Sequence, residues 1–317
     1  MRLLMTAACV LAGVVAVPTA AQAADAACVR QNLSVPTGSW QRIDLLAADP
    51  SGRFQIGWGA DTSGHDHMIR WDDGVPADLG TPPGSLADVD QRGDIVGTTF
   101  DEQTYRGAAW RYSGGQVSVL PGLPDSVETV ARAIAPDGTV TGRSRSADGR
   151  STAVVWAPDN SIHALPATGS SQAIDIDADG TVIGTVDDVP VRWAPGSEPE
   201  TLPLYEPQDG TYAQLTAIGG GTVLGTETTG SAGRVVTWSR EGTPVVVADG
   251  TGQAINAQGS IAYFRPYQNE LWLRQDGVDR ALPFGPSPYA VGKVVALTDT
   301  GVAYGQNFST PVRWTCP

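Results

Sequence analysis

Lysine is almost missing from this chain. Lys293 is the only one in 317 residues, and lysine plus arginine reach 20 against 34 acidic residues. The formal net charge is −14. Phosphate backbones are held by clustered basic side chains, so this balance excludes a nucleic-acid binder working through a basic face. Histidine is scarce too, with only His65, His67 and His163. Beyond residues 3–17 there is no long apolar run, so no membrane anchor is expected. G-x-S-x-G, S-x-x-K, H-E-x-x-H and the EF-hand loop are all lacking, which removes the usual frameworks for nucleophilic and zinc catalysis. Punctuation is what the chain has in plenty. Its 38 glycines and 23 prolines are too many for long helices and suit short strands with tight turns.

The N-terminus reads as an export signal. Arg2 supplies a positive charge, Leu3 to Val17 is nearly all apolar, and Ala21-Gln22-Ala23 offers a small-x-small cleavage site. The apolar run of about 15 residues falls short of the roughly 20 that span a bilayer. Cleavage after Ala23 is expected, with release of a secreted chain. Losing Arg2 leaves 19 basic residues against 34 acidic, a net of −15. Such a charge favours solubility, and a monomer is expected. Two cysteines remain, Cys28 and Cys316, one at each end. An oxidising compartment would join them.

The chain repeats itself seven times. Trp71, Trp110, Trp156, Trp193, Trp238, Trp272 and Trp314 recur at intervals of 34 to 46 residues. A turn glycine, an apolar strand and a second glycine precede each: SGRFQIG (51–57), RGDIVG (92–97), DGTVTG (137–142), DGTVIG (179–184), GGTVLG (220–225), QGSIAY (258–263) and TGVAYG (300–305). The sixth puts Tyr263 where the others have glycine. After the tryptophan comes an apolar residue and often proline, as in Leu120-Pro121, Leu165-Pro166, Leu202-Pro203 and Leu282-Pro283.

Each unit holds four short strands. In the third they are expected at 131–134, 139–145, 152–156 and 162–166. Asp-Gly and Pro-Asp pairs between them suit hairpin turns. One four-stranded meander cannot bury both faces, but a radial stack of such sheets can. The expected fold is all-β: a seven-bladed β-propeller with four antiparallel strands per blade. Its units fall at about 41–84, 85–127, 128–170, 171–212, 213–251, 252–290 and 291–317. The last lacks a fourth strand. Residues 32–39 resemble 163–170, so the segment 28–40 is expected to close the ring and to bring Cys28 beside Cys316.

The pattern of small apolar lead, turn with Asp or Asn, G-x-(V/I)-x-G and strand ending in Trp resembles the HAF-repeat extracellular proteins. Residues 90–97 (DQRGDIVG) and 256–259 (NAQG) carry the resemblance best. The family's His-Ala-Phe-Leu-Trp appears in degenerate form at His67-Met68-Ile69-Arg70-Trp71, Ala108-Ala109-Trp110 and Val154-Val155-Trp156. Neither the kelch Gly-Gly doublet nor Trp-Asp recurs from repeat to repeat. The resemblance covers about residues 41 to 317. It implies a secreted β-propeller and no particular activity.

Candidate sites are sparse. His65 and His67 share one face of an extended strand, and with Asp66 they could bind a transition metal, although a zinc site takes about three or four protein ligands. Asp49, Asp90, Asp137, Asp177, Asp179 and Asp299 stand in the turn before the second strand. Such residues stabilise turns by bonding their own backbone. A ring of them could also offer oxygens to calcium, though calcium takes about six to eight. No other cofactor is expected. The turns between second and third strands and the connections between blades share one face of the disc. They carry Asp101 and Tyr105, Tyr205 and Tyr212, Tyr267, Tyr289 and Phe308. Aromatic rings beside polar groups on rigid loops suit recognition of a glycan, a peptide or a protein. Two functions compete: a secreted non-catalytic binding module using that face, or a hydrolase or lyase acting on polysaccharide or peptide in the central funnel. Fold does not choose between them. Histidine beside two carboxylates in one concave pocket would favour the enzyme.

Overall fold

The computed structural model describes residues 27–285 and 292–317. The expected export signal at 1–23 and the candidate residue Tyr289 lie outside the described residues. Among the latter, the strands form seven four-stranded antiparallel sheets, six of them built from four strands consecutive in sequence. Blades one to six span residues 40–78, 85–119, 126–164, 171–201, 211–249 and 251–282. Blade seven is Gly292–Leu297, Ala303–Asn307 and Thr310–Thr315, completed by Val29–Asn32. The protein is a seven-bladed β-propeller. The first strands are longer than expected. That of blade three starts at Ser126 and that of blade five at Thr211, because residues ahead of the apolar lead still pair with a long second strand.

The second glycine of each repeat has a steric cause. It stands directly opposite the first strand, where every blade carries a β-bulge. A methyl on Gly142 would overlap the Val130 carbonyl, and one on Gly305 the Lys293 carbonyl. Blade six swaps the partners. Tyr263 faces Gly252, where other blades place Leu, Ala or Val opposite glycine, and Tyr263 is fully buried. The missing glycine has moved to the other strand.

Tryptophan plays two roles. Trp71, Trp156, Trp193, Trp238 and Trp314 face the start of their own second strand. Each indole N–H donates to a carbonyl just beyond the fourth strand of the preceding blade: Ser34, Pro121, Pro166, Pro203 and Pro283, at 2.6–2.8 Å. The Leu-Pro pairs are thus acceptors with a buried leucine anchor, as at Leu120, Leu202 and Leu282. Trp110 and Trp272 sit two residues out of step, opposite Gly97 and Tyr263. Their spacing imitates the repeat without its contact. Arg274 holds the position in blade six and donates to Val247 of blade five at 2.7 Å.

The ring closes through both tails, but the closing strand is not residues 32–39. It is Val29–Asn32, paired with Val312 to Thr315. Leu33 N–H bonds the Pro311 carbonyl as Leu165 N–H bonds that of Ala153. Leu33 therefore matches Leu165, one residue off the alignment that glycine and serine had indicated. Backbone pairing, not residue likeness, sets the register. Cys28 and Cys316 form a disulfide across this seam, 288 residues apart in sequence.

Candidate functional site

The aromatic face is only partly gathered. Three of its expected residues surround the turn between Thr222–Thr229 and Ala232–Trp238 of blade five. The Tyr267 hydroxyl donates to the Ser231 carbonyl at 3.1 Å. Tyr212 pairs with Thr228 across the ladder. Arg234 lies 5.8 Å from the Tyr205 ring centre. Beneath them Glu227 is fully buried and accepts from the Tyr205 N–H at 2.7 Å and from Arg234 at 3.2 Å. Arg234 also bonds Glu206 at 2.7 Å. A buried carboxylate therefore braces a surface on which Tyr205, Tyr212 and Tyr267 stay 44%, 52% and 79% exposed. The other three residues lie on other blades. Tyr105 stacks edge-on with Phe100 in blade two. Asp101 is used by its own loop, where the Thr104 and Gln103 amides hold its carboxyl below the usual range. Phe308 tips the turn of blade seven at positive φ.

His65 and His67 flank Asp61, at 3.3 and 3.6 Å, and His67 reaches Asp78 at 2.9 Å. The His67 ring also packs edge-on against Trp40. The amide of His65 leads the causes that hold the Asp61 carboxyl down to about 2. Two carboxylates thus lie near one histidine, but neither histidine lines the central funnel. Among the described residues no group of three or more His, Cys, Asp or Glu is arranged to hold a metal ion.

The turn carboxylates are engaged by backbone. Asp49 accepts from Phe54 and Ser51, Asp90 from Arg92 and Asp94, Asp137 from Thr139 and Asp179 from Thr181. Asp177 and Asp299 reach neighbouring blades, accepting from Gly221 and Ala257.

Sequence reasoning named a central funnel but none of the residues that line it; it is an axial channel, a cavity of about 340 Å³ walled by the first strand of every blade. The residue after the bulge is Ala47, Asp88, Ala133, Asp175, Ala217, Ala254 or Ala296 in blade order. The signal was an aspartate in two repeats where five carry alanine. Asp88 accepts from Val89 of its own blade at 2.8 Å and Ile134 of the next at 2.9 Å. Asp175 accepts from Ile176 and Ile218 in the same way, both at 2.8 Å. Each carboxylate clips two blades together.

Burial pushes the Asp88 carboxyl up to about 8 and that of Asp175 to about 7, and each is opposed by the amides it accepts from. Both are half-buried by area because the channel passes them, but protein encloses them, and enclosure governs the shift. Folding therefore takes up protons. The stabilisation is complete below the ordinary value of 3.8 and is lost as pH rises through about 7 and 8. Asp61 has the opposite sign: its contribution is present above 3.8 and lost as pH falls towards about 2. Thermal melting across this range should show stability declining from mildly acid to mildly alkaline pH. The Asp88→Ala/Asp175→Ala double variant should lose that slope. An unchanged slope would remove these groups as its source.

No protein-family model matches the chain, and no curated protein matches it in sequence. Among solved structures the chain is similar to streptogramin B lyase, with a TM-score of 0.62 and 12% identity over 92% of this chain and 98% of that one. It is similar to YCF48 from Cyanidioschyzon merolae, with a TM-score of 0.52 and 15% identity over 91% and 98%. YCF48 bound to D1 peptide gives a TM-score of 0.50 and 12% identity over 92% and 97%. At such identities the likeness is one of fold, and a propeller hosts binding and enzymatic roles alike.

Proposed function

We propose that the protein is a secreted, non-catalytic binding propeller of the HAF-repeat type, holding an extracellular glycan, peptide or protein on the face that carries the aromatic loops. The observation that carries this is the trio Tyr205, Tyr212 and Tyr267, exposed around one turn and braced by buried Glu227. Exposed tyrosines on a rigid base lose little entropy on binding and supply both apolar area and a polar tip. The disulfide agrees with life in an oxidising compartment. The similar YCF48 structure holds a bound D1 peptide, which fits a propeller scaffold used for recognition.

The test is an array of glycans and peptides probed with the processed chain. Tyr205→Ala, Tyr212→Ala and Tyr267→Ala should each weaken a captured ligand by about 2 kcal/mol, roughly thirtyfold, with melting unchanged. Binding untouched by all three would move the ligand elsewhere. One observation favours the alternative of a hydrolase or lyase in the funnel: Asp88 and Asp175 line it and titrate near neutrality. Cleavage of a polysaccharide or peptide that disappears in Asp88→Ala and Asp175→Ala would establish that reading.

A further inference from the structure

The two channel aspartates leave a gap. In each blade the residue following the post-bulge position is Ala48, Val89, Ile134, Ile176, Ile218, Ile255 or Leu297. These residues alternate with ones that bond the second strand. Asp49, Asp90, Ala135, Asp177, Asn256 and Thr298, the next along, all donate to their own hairpin. The amide before each therefore faces the axis. Asp88 and Asp175 accept from the amides of blades two to five. Ala48, Ile255 and Leu297, on blades one, six and seven, have no such acceptor among the described residues. They are contiguous around the ring and all three line the cavity. Where a carboxylate side chain would reach them, blades six, seven and one carry Ala254, Ala296 and Ala47.

Arg132 supplies a second and independent observation. It is the bulge residue of blade three and lines the same cavity. No hydrogen bond or carboxylate partner engages it among the described residues. The charge acting on it is that of Arg143, another cation. In a ring of seven, blade three stands opposite the junction of blades six and seven. The carboxylates that share the cavity, Asp88, Asp175, Asp177 and Asp299, are each engaged by backbone amides.

We propose that the axial channel binds a small organic carboxylate, seated on the open amides of Ala48, Ile255 and Leu297 and faced by Arg132. Asp88 shows that the spacing fits: the two oxygens of one carboxyl group span the amides of two adjacent blades at 2.8 and 2.9 Å. A ligand carboxylate does in blades six, seven and one what Asp88 and Asp175 do in blades two to five. Charge-assisted bonds to backbone amides and a guanidinium are among the stronger polar contacts, and this pocket adds an apolar wall of Ala, Ile and Leu. The inference is independent of the aromatic face.

The test is an amide-resolved NMR titration of the processed chain with succinate, using sodium chloride at matched ionic strength as control. Saturable shifts are expected at Ala48, Ile255 and Leu297. Arg132→Gln should raise Kd at least tenfold. Ala296→Asp builds the missing carboxylate between Leu297 and Ala48, and should abolish succinate shifts at both. If that variant does not fold, Ala254→Asp makes the same test between Ile255 and Leu297. Absence of saturable shifts, equal shifts with chloride, or shifts that survive both substitutions would overturn the proposal.

Discussion

Replacing Cys28 and Cys316 with alanine is expected to lower the unfolding free energy by up to about 6 kcal/mol, the chain-entropy value for a loop of this length. The bond closes a separation of 288 residues, nearly the whole described chain. What remains without it is thin. The closing strand is four residues, Val29–Asn32, with three side chains exposed and one intermediate. The loss reaches blade one, because Trp71 hangs on the carbonyl of Ser34 just past that strand. The seam keeps a non-covalent part. Gln306 of blade seven accepts from Leu45 at 2.9 Å and donates to Ile43 at 2.6 Å. The figure is therefore an upper one. Calorimetry should show reductant lowering the melting temperature of the native chain and leaving the double variant unmoved. A native chain indifferent to reductant would mean that the tails do not hold the wheel shut.

Gly142→Ala should cost about 3 kcal/mol, a large value for one methyl group. The added carbon meets the Val130 carbonyl and the Trp156 ring, and backbone cannot step aside. Gly252→Ala is the internal control. It alters the same strand pairing in blade six, but the new methyl meets the Leu224 side chain at 3.0 Å and the Gly225 carbonyl at 3.2 Å. A side chain can yield by a few tenths of an ångström, so a cost nearer 1 kcal/mol is expected. Urea unfolding of both variants measures the difference. Equal costs would show that the repeated glycine serves turn formation or flexibility and not the close approach of first strand and tryptophan.

Blade number, strand count and the joining of the tails were legible in the amino-acid order, because each depends on local pattern repeated seven times. Turn glycines, alternating apolar residues and the tryptophan interval are written within about 40 residues. The regularity also misled. Trp110 and Trp272 keep the interval but not the register, and the closing strand lies ahead of its look-alike segment. Composition does not encode which carbonyl an indole will meet. The channel was legible only as two odd aspartates in a column of alanines, a column that exists once the bulges are aligned. What the chain alone determined is the wedge: strand number, turns and an apolar surface on both faces. What the tertiary structure decided is everything made between wedges: the indole clamps, the Asp88 and Asp175 clips, the braced tyrosines and the three open amides. Hydrogen bonds between elements dozens of residues apart follow from the angle at which sheets pack, and that angle is set by seven neighbours closing a circle.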